Sequence, residues 1–234
     1  MISPTLACAD WLNLQQEIAV MDQAGVDSYH IDIMDGHYVP NLCFNLDILA
    51  AIRRVSRTPV DVHLMVTDPL DYVDRLAACG AELACTHIDS CPDVGAFLSA
   101  LEAKGIKKGL VLSPGDGPEL LDPWLDRLDY VLLMFVQPGF SGQKFRPEVL
   151  AKLAALDALR CQRGLDLMLE ADGGIGWDNA AALVENGADL LVSGVFASLD
   201  RRGELGERTA VFRAVSAQRH GARFTRHLFK EASV

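Results

Sequence analysis

The sequence predicts a single (β/α)8 barrel, and three observations carry that expectation. Eight apolar runs of strand length alternate with segments of helical period, the pattern of repeated βαβ units around a parallel sheet. Several helical segments close on a glycine that leads into the next strand, in AGVDSYHID, CGAELACTH, KGIKKGLVL and NGADLLVSG. Glycine just past a helix end adopts the left-handed cap that lets the chain turn back. At 234 residues and 50% hydrophobic content, the chain has the length and apolar mass for one such ring.

In order, the strands read as 2–7, 28–34, 60–66, 83–88, 108–113, 129–136, 166–171 and 189–194. Most are near-continuous apolar runs, as expected of parallel strands covered on both faces. A helical pattern follows each strand, the last over about 204–218. The barrel domain is therefore placed at 1–218, with a C-terminal tail at 219–234. That tail, RHGARFTRHLFKEASV, is basic after an acidic body and reads as a solvated or frayed end rather than a partner-binding arm. An open doubly wound sheet is the alternative fold. No GxGxxG or P-loop motif follows the first strand, which weakens a dinucleotide or nucleotide reading.

The formal charge of −11 argues against a nucleic-acid partner, because phosphate backbones demand clustered Lys and Arg. A small phosphate can still be held by backbone N–H groups at glycine-rich loops. The start, MISPTLACAD, lacks the features of a signal peptide, and no segment approaches the roughly 20 apolar residues of a membrane span. A cytoplasmic protein with no membrane partner is expected. Cys8, Cys43, Cys79, Cys85, Cys91 and Cys161 form no CxxC pair, so packed, reduced thiols are expected.

Chemistry gathers at the strand ends, where a barrel places its active site. HIDIMDGHYVPN puts His30, Asp32 and Met34 at alternate positions of one strand, so all three share a face. DVHLMV adds His63 and Met65, YVLLMFVQPGFSGQ adds Met134, and LEADGG adds Asp172. His30, Asp32, His63 and Asp172 make a four-ligand set for a divalent ion, zinc ahead of manganese, iron or cobalt. Singly, each histidine is better explained as a satisfied core residue and each aspartate as a loop cap. Together, four ionisable groups on the inner faces of three strands point to pairing or metal binding. Met34, Met65 and Met134 are either core filler or a soft lining that keeps water from a carbanion-like intermediate. The loops VQPGFSGQKF, ADGGIGWDNA and LLVSGVFAS offer Gly142, Gly174, Gly194 and Val195 as phosphate donors, unless their glycines are only tight βα turns.

With these residues in view, the chain resembles the ribulose-phosphate 3-epimerase family. The match runs from ISPTLACAD through HIDIMDGHYVPN, DVHLMV, LLMFVQPGFSGQ and EADGGI to LLVSGVF, roughly residues 2 to 200. The resemblance implies a TIM barrel of the ribulose-phosphate-binding type and epimerisation at C3 of a ketose phosphate, D-ribulose 5-phosphate to D-xylulose 5-phosphate first. It implies that His30, Asp32, His63 and Asp172 are metal ligands and that the two aspartates double as acid and base through a metal-stabilised enediolate. Cys8, Gly139 and Gly173 join the substrate-binding set, and a dimer or hexamer is expected. Several positions depart from the common pattern. Cys8 stands in place of a serine, Phe135, Gln137 and Ser141 alter the usual MTVNPGFGGQ, and Val195 replaces a small hydroxyl residue. Cys8 is similar to the allulose-6-phosphate epimerases, which makes D-allulose 6-phosphate the second substrate. A decarboxylase or aldol-type barrel would recruit a lysine at these strand tips, and none occurs there; a non-catalytic sugar-phosphate binder would not need all four polar residues.

Overall fold

Among the described residues, 1–200 and 203–216 of this computed structural model, nine strands form one sheet. They are β1 (Ile2–Pro4), β2 (Tyr29–Asp35), β3 (Leu42–Cys43), β4 (Val60–Met65), β5 (Leu83–His87), β6 (Lys107–Leu112), β7 (Tyr130–Met134), β8 (Met168–Asp172) and β9 (Leu190–Ser193). Around the sheet the order is β1-β9-β8-β7-β6-β5-β4-β2-β3. All neighbours are parallel except β2 and β3. A parallel bridge between Thr5 and His30 joins the end of β1 to β2 and closes the ring. Eight parallel strands thus make the barrel, as the sequence predicts, and each predicted strand overlaps an observed one. β3 is an addition. It pairs Cys43 antiparallel to Met34 and lies outside the ring.

The helices are α1 (Leu14–Gln23), α2 (Asp47–Ile52), α3 (Val73–Cys79), α4 (Val94–Ala103), α5 (Leu150–Arg163), α6 (Ala180–Glu185) and α7 (Leu205–Ser216). One expectation fails after β6, where no α-helix forms. The chain instead makes two 3-10 turns, Pro118–Leu121 and Leu125–Arg127, because SPGDGP and Pro123 supply breakers where a helix would need backbone donors. The helix-ending glycines Gly25, Gly80, Gly105 and Gly187 carry φ between +70° and +105°, the conformation the caps require. The predicted tail at 219–234 lies outside the described residues.

Alternation along each strand sorts side chains between two cores. Outward residues such as Ile31, Ile33, Val62, Leu64, Val131 and Leu169 pack under the helices, each contributing about 1.5–3 kcal/mol of burial. Inward residues fill the barrel: Leu83, Cys85, Val111, Tyr130, Leu132, Met168 and Leu190 form an apolar plug. Gly109 makes room in that plug, since a Cβ there would lie 2.4 Å from the Tyr130 ring and 2.7 Å from Cys85. Tyr130 can therefore lie across the barrel toward β4. All six cysteines are free thiols, and no described helix is long and apolar enough to cross a membrane.

Candidate active site

Parallel register sets the polar residues side by side. His30 pairs with Asp61, Asp32 with His63 and Met34 with Met65 between β2 and β4, while Met134 pairs with Asp172 between β7 and β8. Each member points inward. One ligand atom from each of His30, Asp32, His63 and Asp172 lies within 4.8 Å of the others, so the four predicted residues form a single cluster.

The donor set suits a divalent ion. Nε2 of His30 and Nδ1 of His63 are fully buried and have no hydrogen-bond partner, an arrangement that costs free energy unless a ligand completes it. They approach the same oxygen, Asp32 Oδ1, at 3.5 and 3.3 Å. The other Asp32 oxygen accepts from the Thr5 hydroxyl at 2.6 Å. Two imidazole nitrogens and two carboxylates match the ligands taken by zinc and its neighbours in the first transition row.

Electrostatics separates the two aspartates. Burial opposes ionisation of Asp32, but the charges and hydrogen bonds of His30 and His63 outweigh it and hold the carboxyl well below its usual range. Burial, reinforced by Asp32, pushes Asp172 upward. Paired carboxyls driven apart in this way are suited to opposite acid and base roles. Burial also disfavours a charged His30, yet Asp32, Asp61 and Glu170 around it raise its pKa well above the ordinary value.

Beneath the cluster lies a second layer that the sequence reading missed. Asp61 Oδ2 is 2.8 Å from His30 Nδ1, and the Tyr130 hydroxyl donates to Asp61 Oδ1 at 2.7 Å. Glu170 Oε1 lies 3.4 Å from the same His30 nitrogen; burial, with Asp61 beside it, pushes the Glu170 carboxyl well up. His63 Nε2 meets His87 Nε2 at 2.9 Å, and His87 Nδ1 meets Ser113 at 3.1 Å. Burial and the neighbouring His63 push His87 well below its ordinary value, so neutral His87 can accept from His63 and donate to Ser113. The signal for two of these residues was available: Asp61 and Glu170 stand two positions before His63 and Asp172, on the same strand faces.

Above the cluster opens a cavity of about 240 Å³. Asp32 and Asp172 border it, whereas His30 and His63 lie below its floor. All of the predicted substrate residues line it: Cys8, Met34, Met65, Met134, Gly139, Gly142, Gly173, Gly174, Gly194 and Val195. The methionines serve both readings, being at most 8% exposed yet forming the cavity wall. Burial and nearby Asp32 push the Cys8 thiol up to about 11, against contacts with Ser141 and the Val195 backbone. Asn41 ties the loop after β2 to the loop after β7 by donating to the Gly139 carbonyl at 2.7 Å. No lysine or arginine lines the cavity among the described residues. At its far end, Ala197 and Leu199 donate to the Gly194 carbonyl; the opening N–H groups of that turn, from Val195 onward, have no place in its own bonding.

The fold and this cluster define a class: a β/α-barrel enzyme with two carboxyls and two histidines at the strand tips. A profile of the ribulose-phosphate 3 epimerase family matches residues 1–197, and the chain belongs to that family. It is 38% identical over 209 residues to the ribulose-phosphate 3-epimerase of Bacillus subtilis (strain 168), covering 88% of this chain and 96% of that protein. The Escherichia coli (strain K12) ribulose-phosphate 3-epimerase is also 38% identical, over 83% of this chain and 87% of its own length. Two solved structures share the fold alone. 3-Hexulose-6-phosphate synthase aligns over 92% of this chain and 99% of its own, with TM-score 0.67 and 14% identity. Thiamine phosphate pyrophosphorylase from Pyrococcus furiosus covers 92% and 94%, with TM-score 0.62 and 16% identity.

Proposed function

We propose that this chain epimerises a ketose phosphate at C3, interconverting D-ribulose 5-phosphate and D-xylulose 5-phosphate. The observation that carries the reading is the pair Asp32 and Asp172, both bordering one cavity directly over two buried imidazoles. Inverting a stereocentre α to a ketone requires removal of a proton from one face and delivery to the other. Asp32 and Asp172 perform these roles in alternation according to direction, each worth about 10²–10⁴-fold in rate. Thr5 holds Asp32 in place, and the wall of Met34, Met65 and Met134 limits the approach of water to the reacting carbon.

His30, Asp32, His63 and Asp172 would hold a divalent ion, zinc by preference, from the donor set they offer. When bound, that ion supplies Lewis-acid stabilisation of charge on the substrate oxygens, worth several kcal/mol. The phosphate sits among Gly142, Gly174, Gly194 and Val195, held by backbone N–H groups because no cationic side chain lines the cavity among the described residues. We place the enzyme in the cytoplasm as a homo-oligomer, on the strength of the family resemblance.

Turnover in deuterium oxide tests the reaction: label should enter at C3 and nowhere else. Label confined to C1 would instead mark an aldose–ketose isomerase. Cys8 in the cavity keeps D-allulose 6-phosphate as the second substrate. Comparing kcat/KM for the two sugars decides between them.

A further inference from the structure

We infer that Asp61 is a positioning residue that fixes which nitrogen of His30 faces the candidate metal centre. The inference rests on the reading of that centre given above and adds to it the layer beneath. A neutral imidazole carries its proton on one nitrogen only, and the partner of that nitrogen decides which one remains free to ligate. His30 Nδ1 stands 2.8 Å from Asp61 Oδ2. A carboxylate has no proton to give, so Nδ1 donates to it whether the ring is neutral or charged, and Nε2 is the nitrogen left for an ion to take. Nε2 is the atom left without a partner beside Asp32.

Asp61 is itself held. Its second oxygen accepts from Tyr130 at 2.7 Å, and both side chains are completely buried. Tyr130 spans the barrel only because Gly109 has no side chain to block it. Four strands therefore cooperate in orienting one ring: β2 bears it, β4 accepts its proton, β7 steadies the acceptor and β6 stands aside.

His30, Asp61 and Glu170 could also be read as a second ion site, since their ligand atoms cluster. The 2.8 Å between His30 Nδ1 and Asp61 Oδ2 is the spacing of a direct hydrogen bond. The other Asp61 oxygen is already taken by the Tyr130 hydroxyl, so the group is read as the hydrogen-bonded support of the His30 ring. Glu170 is farther from the ring, at 3.4 Å. His63 shows the converse arrangement, with Nε2 engaged by His87 and Nδ1 left over.

The test is a binding titration of the full chain, stripped with chelator and titrated with Co²⁺ or Zn²⁺. It compares wild type, Asp61→Asn, Tyr130→Phe and the double variant, reading Co²⁺ absorption and competition against a chelating dye. Asp61→Asn should weaken affinity about 10–100-fold, the scale on which such outer partners act. Tyr130→Phe should weaken it less, and the double variant should match Asp61→Asn alone, because Tyr130 acts through Asp61. Unchanged affinity in Asp61→Asn, with only a lower melting temperature, would overturn the inference and leave the centre intact. Should Asp61→Asn fail to fold, Tyr130→Phe decides: wild-type affinity there overturns the assignment. A wild-type chain that binds neither ion would remove the centre itself, and this inference with it.

Discussion

His30 and His63 turn opposite ring nitrogens toward one oxygen. Nε2 of the first lies 3.5 Å, and Nδ1 of the second 3.3 Å, from Asp32 Oδ1. Register alone does not produce this, because both rings hang from inward positions of adjacent parallel strands. The difference comes from what grips each ring behind: Asp61 on the Nδ1 of His30, His87 on the Nε2 of His63.

The acid/base assignment predicts that Asp172→Asn lowers kcat by about 10²–10⁴-fold. Bound metal should fall far less, since three of the four ligands remain. Steady-state rates and metal content measured on the same preparation check this. A variant as fast as wild type removes Asp172 from the mechanism.

Val195 offers a test at the phosphate end. It lines the cavity and is 38% exposed, so Val195→Ser should cost little stability. The new hydroxyl can add one hydrogen bond to a phosphate oxygen, and the expected result is a KM several-fold lower with kcat unchanged. That pattern is the signature of an interaction made equally in the ground and transition states. An unaltered KM would place the phosphate away from this turn.

Gly109→Ala should destabilise the barrel by about 1–3 kcal/mol, the range for overpacking a filled core. The added methyl would meet the Tyr130 ring at 2.4 Å and force it to move. Denaturant midpoints at constant m-value measure the effect. A stable Gly109→Ala protein would mean that Tyr130 does not need the place it occupies.

Asp35 predicts a pH dependence of stability. Partial burial works to raise its pKa, but the N–H groups of Thr67, His37 and Tyr38 and the Thr67 hydroxyl hold its carboxyl down at about 2. The unfolded chain would show about 4. A carboxyl depressed on folding stabilises fully above its unfolded value, and the contribution disappears as pH falls through its folded value. Wild type should therefore exceed Asp35→Asn in urea midpoint at pH 6 and lose that advantage by pH 2. Equal midpoints at pH 6 would dismiss the loop contacts as a source of stability.

Much of this was legible in the sequence because periodicity is a local property. Alternation alone put His30, Asp32 and Met34 on one face, and the glycine caps marked where strands begin. The same alternation reaches Asp61 and Glu170, yet one step further from the tips their carboxyls gave no hint of a partner. Tyr130 was hidden for another reason. Its link to Asp61 runs between residues 69 apart in sequence and depends on an empty place at Gly109. β3 is only two residues long, too short for a pattern, and is fixed by its pairing with β2. The missing helix after β6 was the converse error, in which a barrel's expected repeat was carried across a stretch whose prolines and glycines forbid it.

Ring closure has a consequence for how the molecule fails. Among the described residues, β1 meets β2 at the single bridge from Thr5 to His30, a far thinner joint than the ladders elsewhere. Those same residues brace the chemistry, Thr5 through its bond to Asp32 and His30 as a member of the cluster. If this seam parts first under rising denaturant, turnover will vanish while most of the sheet still stands, and catalysis becomes the earliest alarm of a barrel coming unstitched.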